Sequence, residues 1–159
     1  MKRISTLSCS LAVIALAACG GSDGGPTGTN ATLGDGSMSA SINGAAWRSE
    51  KSGDKGSHSG IIYAVVGLNT SYTISLGIAG LTGPGTVNLS LAGGNGSIAI
   101  IANSTGSWGT AFSGGSGTIT VTTLTANRIA GTFSFDAPAG SGQATGTLQV
   151  RNGQFDVTF

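Results

Sequence analysis

The chain has 159 residues, with seven Lys or Arg, six Asp or Glu and a single His, for a formal net charge of +1. Charged residues make up only 8 % and form no basic run, so the electrostatic footprint needed for nucleic acid or anionic headgroups is missing. Two cysteines and one histidine leave no ligand set for a zinc centre and no disulfide framework.

In chain order, Met1-Lys2-Arg3 is a short positive segment, and Ile4 to Ala15 is an apolar and small-residue stretch too short to cross a bilayer as a stable helix. Leu16-Ala17-Ala18-Cys19 follows, and it resembles the bacterial lipobox. The order has a chemical reason: small residues fit the peptidase pocket, and the thiol is the atom that diacylglycerol alkylates. The expectation is a signal peptide over 1–18, cleaved before Cys19, with Cys19 lipidated. Cys9 then leaves with the signal peptide, and two or three acyl chains on the new N-terminus give a stable anchor. Residue 20 is Gly rather than Asp, which in a double-membrane cell resembles the pattern sorted to the outer membrane.

Gly20 to Ser37 reads as a tether, rich in Gly and without an apolar pattern. A flexible coil of that length spans about 20–25 Å. Its Gly20-Gly21-Ser22-Asp23-Gly24 matches the G-x-S-x-G nucleophile pattern, but that pattern has meaning only at a strand-to-helix elbow.

From Met38 onward, short segments of period two are punctuated by Gly, Asn and Ser, so 38–159 reads as one β domain. Tyr72, Ile74, Leu76 and Ile78 alternate with Thr73, Ser75, Gly77 and Ala79; Val87, Leu89 and Leu91 follow a Gly83-Pro84-Gly85 turn. Ile119 and Val121 alternate with threonines, and Ile129, Gly131, Phe133 and Phe135 with Ala130, Thr132, Ser134 and Asp136. Ile61 to Leu68 and Ile98 to Ala102 are apolar on both parities, which means either cover on both faces or bulges. Asn152-Gly153 is a two-residue type I′ turn signal and predicts a C-terminal hairpin with Val150 opposite Phe155. No segment keeps a 3.6-residue period. The expected fold is all-β: an antiparallel sandwich or flattened barrel of about eight to ten short strands.

Three stretches carry a family resemblance: Ser39-Ala40-Ser41-Ile42-Asn43-Gly44-Ala45-Ala46-Trp47; Gly117-Thr118-Ile119-Thr120 with Arg128 to Ala137; and Asn152-Gly153-Gln154-Phe155-Asp156-Val157. Together, over most of 38–159, they resemble a family of small bacterial envelope lipoproteins with a β-rich domain of unknown function. Thr125-Ala126-Asn127 replaces the acidic residue usual in that family before the Gly131 strand. The resemblance implies a compact antiparallel fold and a lipid anchor, and it carries over no catalytic residue.

Chemistry-bearing residues are sparse. His58 sits four residues after Asp54 in a Ser/Gly/Lys stretch that reads as a solvated loop, with no nucleophile motif beside it. Asp136 and Asp156 fall on outward strand positions, where a surface carboxylate is the default. No clustered acids suit calcium, and no phosphate loop is present. The expectation is therefore no catalytic residue, no metal and no cofactor. Trp108, between Gly106 and Gly109, is the candidate contact for a protein or glycan partner, because an exposed ring there would stack on a sugar or anchor a partner. The leading reading is a non-catalytic envelope or surface module tethered to the outer membrane by its N-terminal lipid, with no nucleic-acid partner. The alternatives are an accessory lipoprotein without a ligand, a hydrolase of envelope or extracellular polymers, and an integral barrel whose last strand ends in Phe159.

Overall fold

The computed structural model describes residues 36–50, 55–90 and 96–159. These form eleven strands and no helix: β1 (Ser37–Ile42), β2 (Ala45–Arg48), β3 (Lys55–Ser59), β4 (Ile62–Leu68), β5 (Thr73–Ala79), β6 (Gly85–Leu89), β7 (Ile98–Ala102), β8 (Gly106–Gly109), β9 (Ser116–Leu124), β10 (Arg128–Gly142) and β11 (Thr147–Thr158). Every pairing is antiparallel. The path runs β2-β1-β11-β10-β8-β7-β5-β4-β3, with β9 joined to β10 and β6 to β9. This curled sheet makes a half-barrel, as the alternating pattern predicts. It has more strands than expected, and β10 and β11 are not short: they run fifteen and twelve residues.

β10 is where one sheet becomes two layers. Residues 129–136 pair with β9 and residues 139–142 with β8, while β11 lines the opposite edge over 128–138. Pro138, which has no N–H to give a ladder, stands where the partner changes from β9 to β8. The layer β2-β1-β11-β10-β9-β6 and the layer β8-β7-β5-β4-β3 share one apolar core. Phe135, Phe155, Met38, Ile74, Leu76, Leu89, Ile101, Ile119 and Ile129 are all under 2 % exposed or nearly so. Each such side chain contributes about 1.5–3 kcal/mol relative to exposure. Phe133 links Phe135 and Phe155 with ring centroids 6.0 and 6.3 Å away.

Two hydroxyls extend the ladders inside this core. Ser49 Oγ accepts from Met38 N–H at 2.9 Å and donates to Met38 O at 3.0 Å, and Thr110 Oγ1 accepts from Ala99 N–H at 2.9 Å. After β2 the chain is laced to the end of β4: Glu50 N–H donates to Leu68 O, and Asn69 Nδ2–H donates to Arg48 O.

The two Asn-Gly dipeptides behave differently. Asn43 (φ 49°) and Gly44 (φ 85°) form the two-residue turn between β1 and β2, with Ile42 opposite Ala45. Both φ values are positive, as a type I′ turn requires. Asn152 (φ 52°) is also left-handed, but β11 runs straight through it, and the predicted C-terminal hairpin does not form. Between Phe133↔Gly153 and Phe135↔Val150 two residues of β11 oppose one of β10, and β1 records the same slip between Ser39 and Ser41. This is a β-bulge, which makes the same demand for positive φ as the turn. Gly153 is needed there for a second reason: a Cβ would lie 2.5 Å from the Phe133 ring.

Candidate functional site

The curled sheet has two outer faces, and their chemistry differs. On the β6-β9-β10-β11-β1-β2 layer, one row crosses all six strands: Thr86, Thr120, Thr132, Gln154, Ser39 and Arg48 stand opposite one another in sequence. The next row begins Asn88, Thr118, Ser134. Adjacent members are about 4.8 Å apart. Threonine suits these positions because its branched Cβ fits the pleat while its hydroxyl stays wet. Thr86 and Thr120 join their hydroxyls at 3.0 Å, and Thr122 Oγ1–H donates to Ala130 O.

Two Arg–Asp pairs cross from β10 to β11 on this face, in opposite senses. Arg128 grips Asp156 with both prongs, Nε to Oδ1 at 2.7 Å and Nη2 to Oδ2 at 2.6 Å. Asp156 is 3 % exposed, so outward parity does not make it a surface carboxylate. A buried carboxylate requires such a partner. Arg151 Nη2 donates to Asp136 Oδ1 at 2.6 Å, and both side chains are more than a third exposed. Its Nη1 also donates to the carbonyls of Phe135 and Val150, beside the β11 bulge. The guanidinium thus supplies donors where the bulge disturbs the ladder.

The outer face of β3-β4-β5-β7 is apolar along β4 and β7, with Lys55, Ser57, Ser59, Thr73 and Ser75 of β3 and β5 set between and beside those rows. Ile62, Ala64, Val66 and Leu68 alternate with the core residues of β4, and Ile98, Ile100 and Ala102 with those of β7. Register makes them contiguous: Ile62 faces Ala79, Ala64 faces Gly77 and then Ile98, Val66 faces Ser75 and then Ile100. Phe112 continues the surface, its ring lying beside Gly109 and over Gly140. Ile61 and Ile62 are 51 % and 58 % exposed, and Phe112 is 38 % exposed. Among the described strand positions of this face the one charge is Lys55, at the β3 edge opposite Val66. The pairing of β4, β5 and β7 carries no register shift, so the two-sided apolar pattern of 61–68 and 98–102 reflects neither bulges nor double cover. One parity is core; on the other, Ile62 and Leu68 at the ends of β4 are exposed, while Ala64, Val66, Ile98, Ile100 and Ala102 are half-buried.

The two layers meet at a seam between β3 and the end of β11. A Cβ on Gly56 would lie 2.8 Å from Thr158 O and 2.9 Å from the Val157 side chain, so glycine allows the close approach. Phe159 closes the seam, its ring tilted against those of His58 (centroids 4.8 Å apart) and Tyr63 (5.9 Å). His58 is therefore on a strand, opposite Tyr63, and not in a loop.

Of the sequence candidates, Cys19, residues 20–35 of the tether and Asp54 lie outside the described residues, while Ser37, expected in the tether, opens β1. Trp108 is in the core at 7 % exposure, and its indole N–H donates to Thr145 O at 3.1 Å. Its ring offers no open face in this fold. The flanking glycines mark tight packing instead: a Cβ on Gly106 would meet Ala144 N and Ser141 O, and one on Gly109 would meet Ala99 O. No cluster of three or more metal-ligating side chains occurs among the described residues. The apolar outer face was missed by residue-by-residue reading, although the double-parity apolar runs were its signal.

Fold and faces together define a small antiparallel half-barrel domain with a packed apolar interior and two outer faces of opposite character. The chain belongs to the DUF6252 family, a domain of unknown function whose family model matches residues 34–157. That match covers the β domain and begins after Cys19. No curated protein and no solved structure matches the chain.

Proposed function

We propose that this chain is a membrane-anchored bacterial lipoprotein whose β domain is a non-catalytic binding or display module of the cell envelope, held at the outer membrane by acyl chains on Cys19. The observation that carries this reading is Leu16-Ala17-Ala18-Cys19, behind a positive segment and an apolar stretch and ahead of a Gly-rich tether. The arrangement of the domain is compatible with it. Asp136 and Asp156 are engaged by Arg151 and Arg128, which leaves them poorly placed to act as a free acid–base couple. Parity also favours an anchored domain over an integral barrel. A transmembrane barrel is apolar outside and polar within, whereas β9, β10 and β11 place Ile119, Phe135 and Phe155 inside and threonines and ion pairs outside.

The test is metabolic labelling with a palmitate analogue, followed by membrane fractionation, of the full chain and its Cys19→Ala variant. Wild type is expected to take up label and sediment with the outer membrane, and the variant to do neither. Unlabelled wild type, or a variant that still labels, overturns the reading.

A further inference from the structure

We propose that the apolar outer face around Ile62, Val66, Ile98, Ile100 and Phe112 lies against the lipid surface to which the chain is tethered. The inference rests on the anchoring reading above and adds an orientation: the β3-β4-β5-β7 face down, the threonine face away.

Three observations lead to the bilayer as the occupant. The first is where the chain enters. Gly36 N–H donates to Asp156 O and Ser37 pairs with Asp156, while the next residues of β11, Val157 to Phe159, pack on Gly56, His58 and Tyr63. The tether thus joins the domain at the seam beside β3, the edge strand of the apolar face. Sixteen residues separate Cys19 from Gly36, and a coil of that length spans about 20–24 Å. A face three or four strands wide is about 15–20 Å across, so acylated Cys19 can sit in the membrane with this face on it.

The second is area. Four strands by about five residues present roughly 300 Å² in plan. A stable protein–protein interface buries about 800 Å² per partner, so this patch is too small to hold a second copy from dilute solution. A tether changes the arithmetic: it sets an effective concentration in the millimolar range, at which a weak contact becomes persistent.

The third is charge. The described strand positions of the face carry four hydroxyls (Ser57, Ser59, Thr73 and Ser75), no carboxylate and one lysine, Lys55, at the border, where a long side chain can reach headgroups. With so little charge the contact depends on apolar burial, so it should form on zwitterionic lipid and survive salt. The opposite face, with two Arg–Asp pairs and rows of hydroxyls, would have to desolvate them to take its place.

The experiment places a single environment-sensitive probe on the acylated full chain through Ile62→Cys, Ile98→Cys or Thr118→Cys. Each is reconstituted in phosphatidylcholine vesicles and challenged with iodide in water and with doxyl-labelled lipid. Probes at 62 and 98 are expected to be at least five-fold less quenched by iodide than the probe at 118, to be quenched by doxyl lipid, and to stay so in 0.5 M salt. If the chain floats with the vesicles but all three probes are equally open to iodide, the orientation is wrong and the anchor stands. If position 62, which the fold leaves 58 % exposed, is equally protected in the delipidated chain without vesicles, something other than lipid covers the face and the proposal is overturned. If the chain does not float, anchoring and orientation fall together.

Discussion

The two outer faces of this sheet are built on the same backbone and opposite one core, yet they follow different rules. On β9, β10 and β11 the outward parity is Thr, Ser, Gln, Arg and Asp, the usual wet side of an antiparallel sheet. On β4 and β7 it is Ile, Ala, Val and Leu, with Ile62 58 % exposed. Stability does not ask for this second pattern, because the core is already complete from the inward parity. This second pattern is the surface on which the proposed lipid contact would rest.

Substitutions on the two faces should therefore separate stability from surface behaviour. The largest effect falls on the polar face. Arg128→Met strands the buried Asp156 carboxylate and should cost about 3 kcal/mol in urea unfolding. Asp156→Ala should cost about 1 kcal/mol, because Arg128 is 42 % exposed and can turn to water. The reverse order would mean that the pair does not hold the face together. Next comes the bulge. Gly153→Ala drives a Cβ into the Phe133 ring and should cost about 2 kcal/mol. Gly44→Ala, in the β1–β2 turn, meets nothing within 4 Å and should cost about 1 kcal/mol, from its φ of 85° alone. Arg151→Ala removes an exposed ion pair and two carbonyl contacts at the bulge, and a loss of about 0.5–1 kcal/mol is expected in thermal melts. The smallest change should be Ile62→Ser, within about 0.5 kcal/mol of wild type. That substitution should nonetheless shift how the acylated chain sits on vesicles. A large stability loss at Ile62 would make the face part of the core and remove the contrast.

Much of this was readable from residues. The alternation over 72–79, 118–122 and 129–136 located β5, β9 and β10 with their inward sides, because period two is a direct print of the pleat. The readings that failed did so where one residue type meets two structural demands. Asn-Gly serves positive φ in a turn and in a bulge alike, and the choice at Asn152 is made by β1 and β10, which flank β11 on both edges and keep its ladder running. Glycines beside Trp108 suggested exposure, but they exist so that β8 can press between β7 and β10. Asp156 looked like a surface acid, and its cover comes from Arg128, twenty-eight residues away in the chain. The apolar outer face was visible as a double-parity run in 61–68 and 98–102, but sequence alone does not say which parity is left uncovered.

The most direct measurement is residue-resolved relaxation enhancement of the acylated chain in nanodiscs containing a doxyl lipid. The account predicts strong broadening of the Ile62, Ala64, Ile98 and Ile100 amides and little at Thr118, Thr120 and Thr132. Uniform broadening, or broadening centred on the threonine rows, would contradict it.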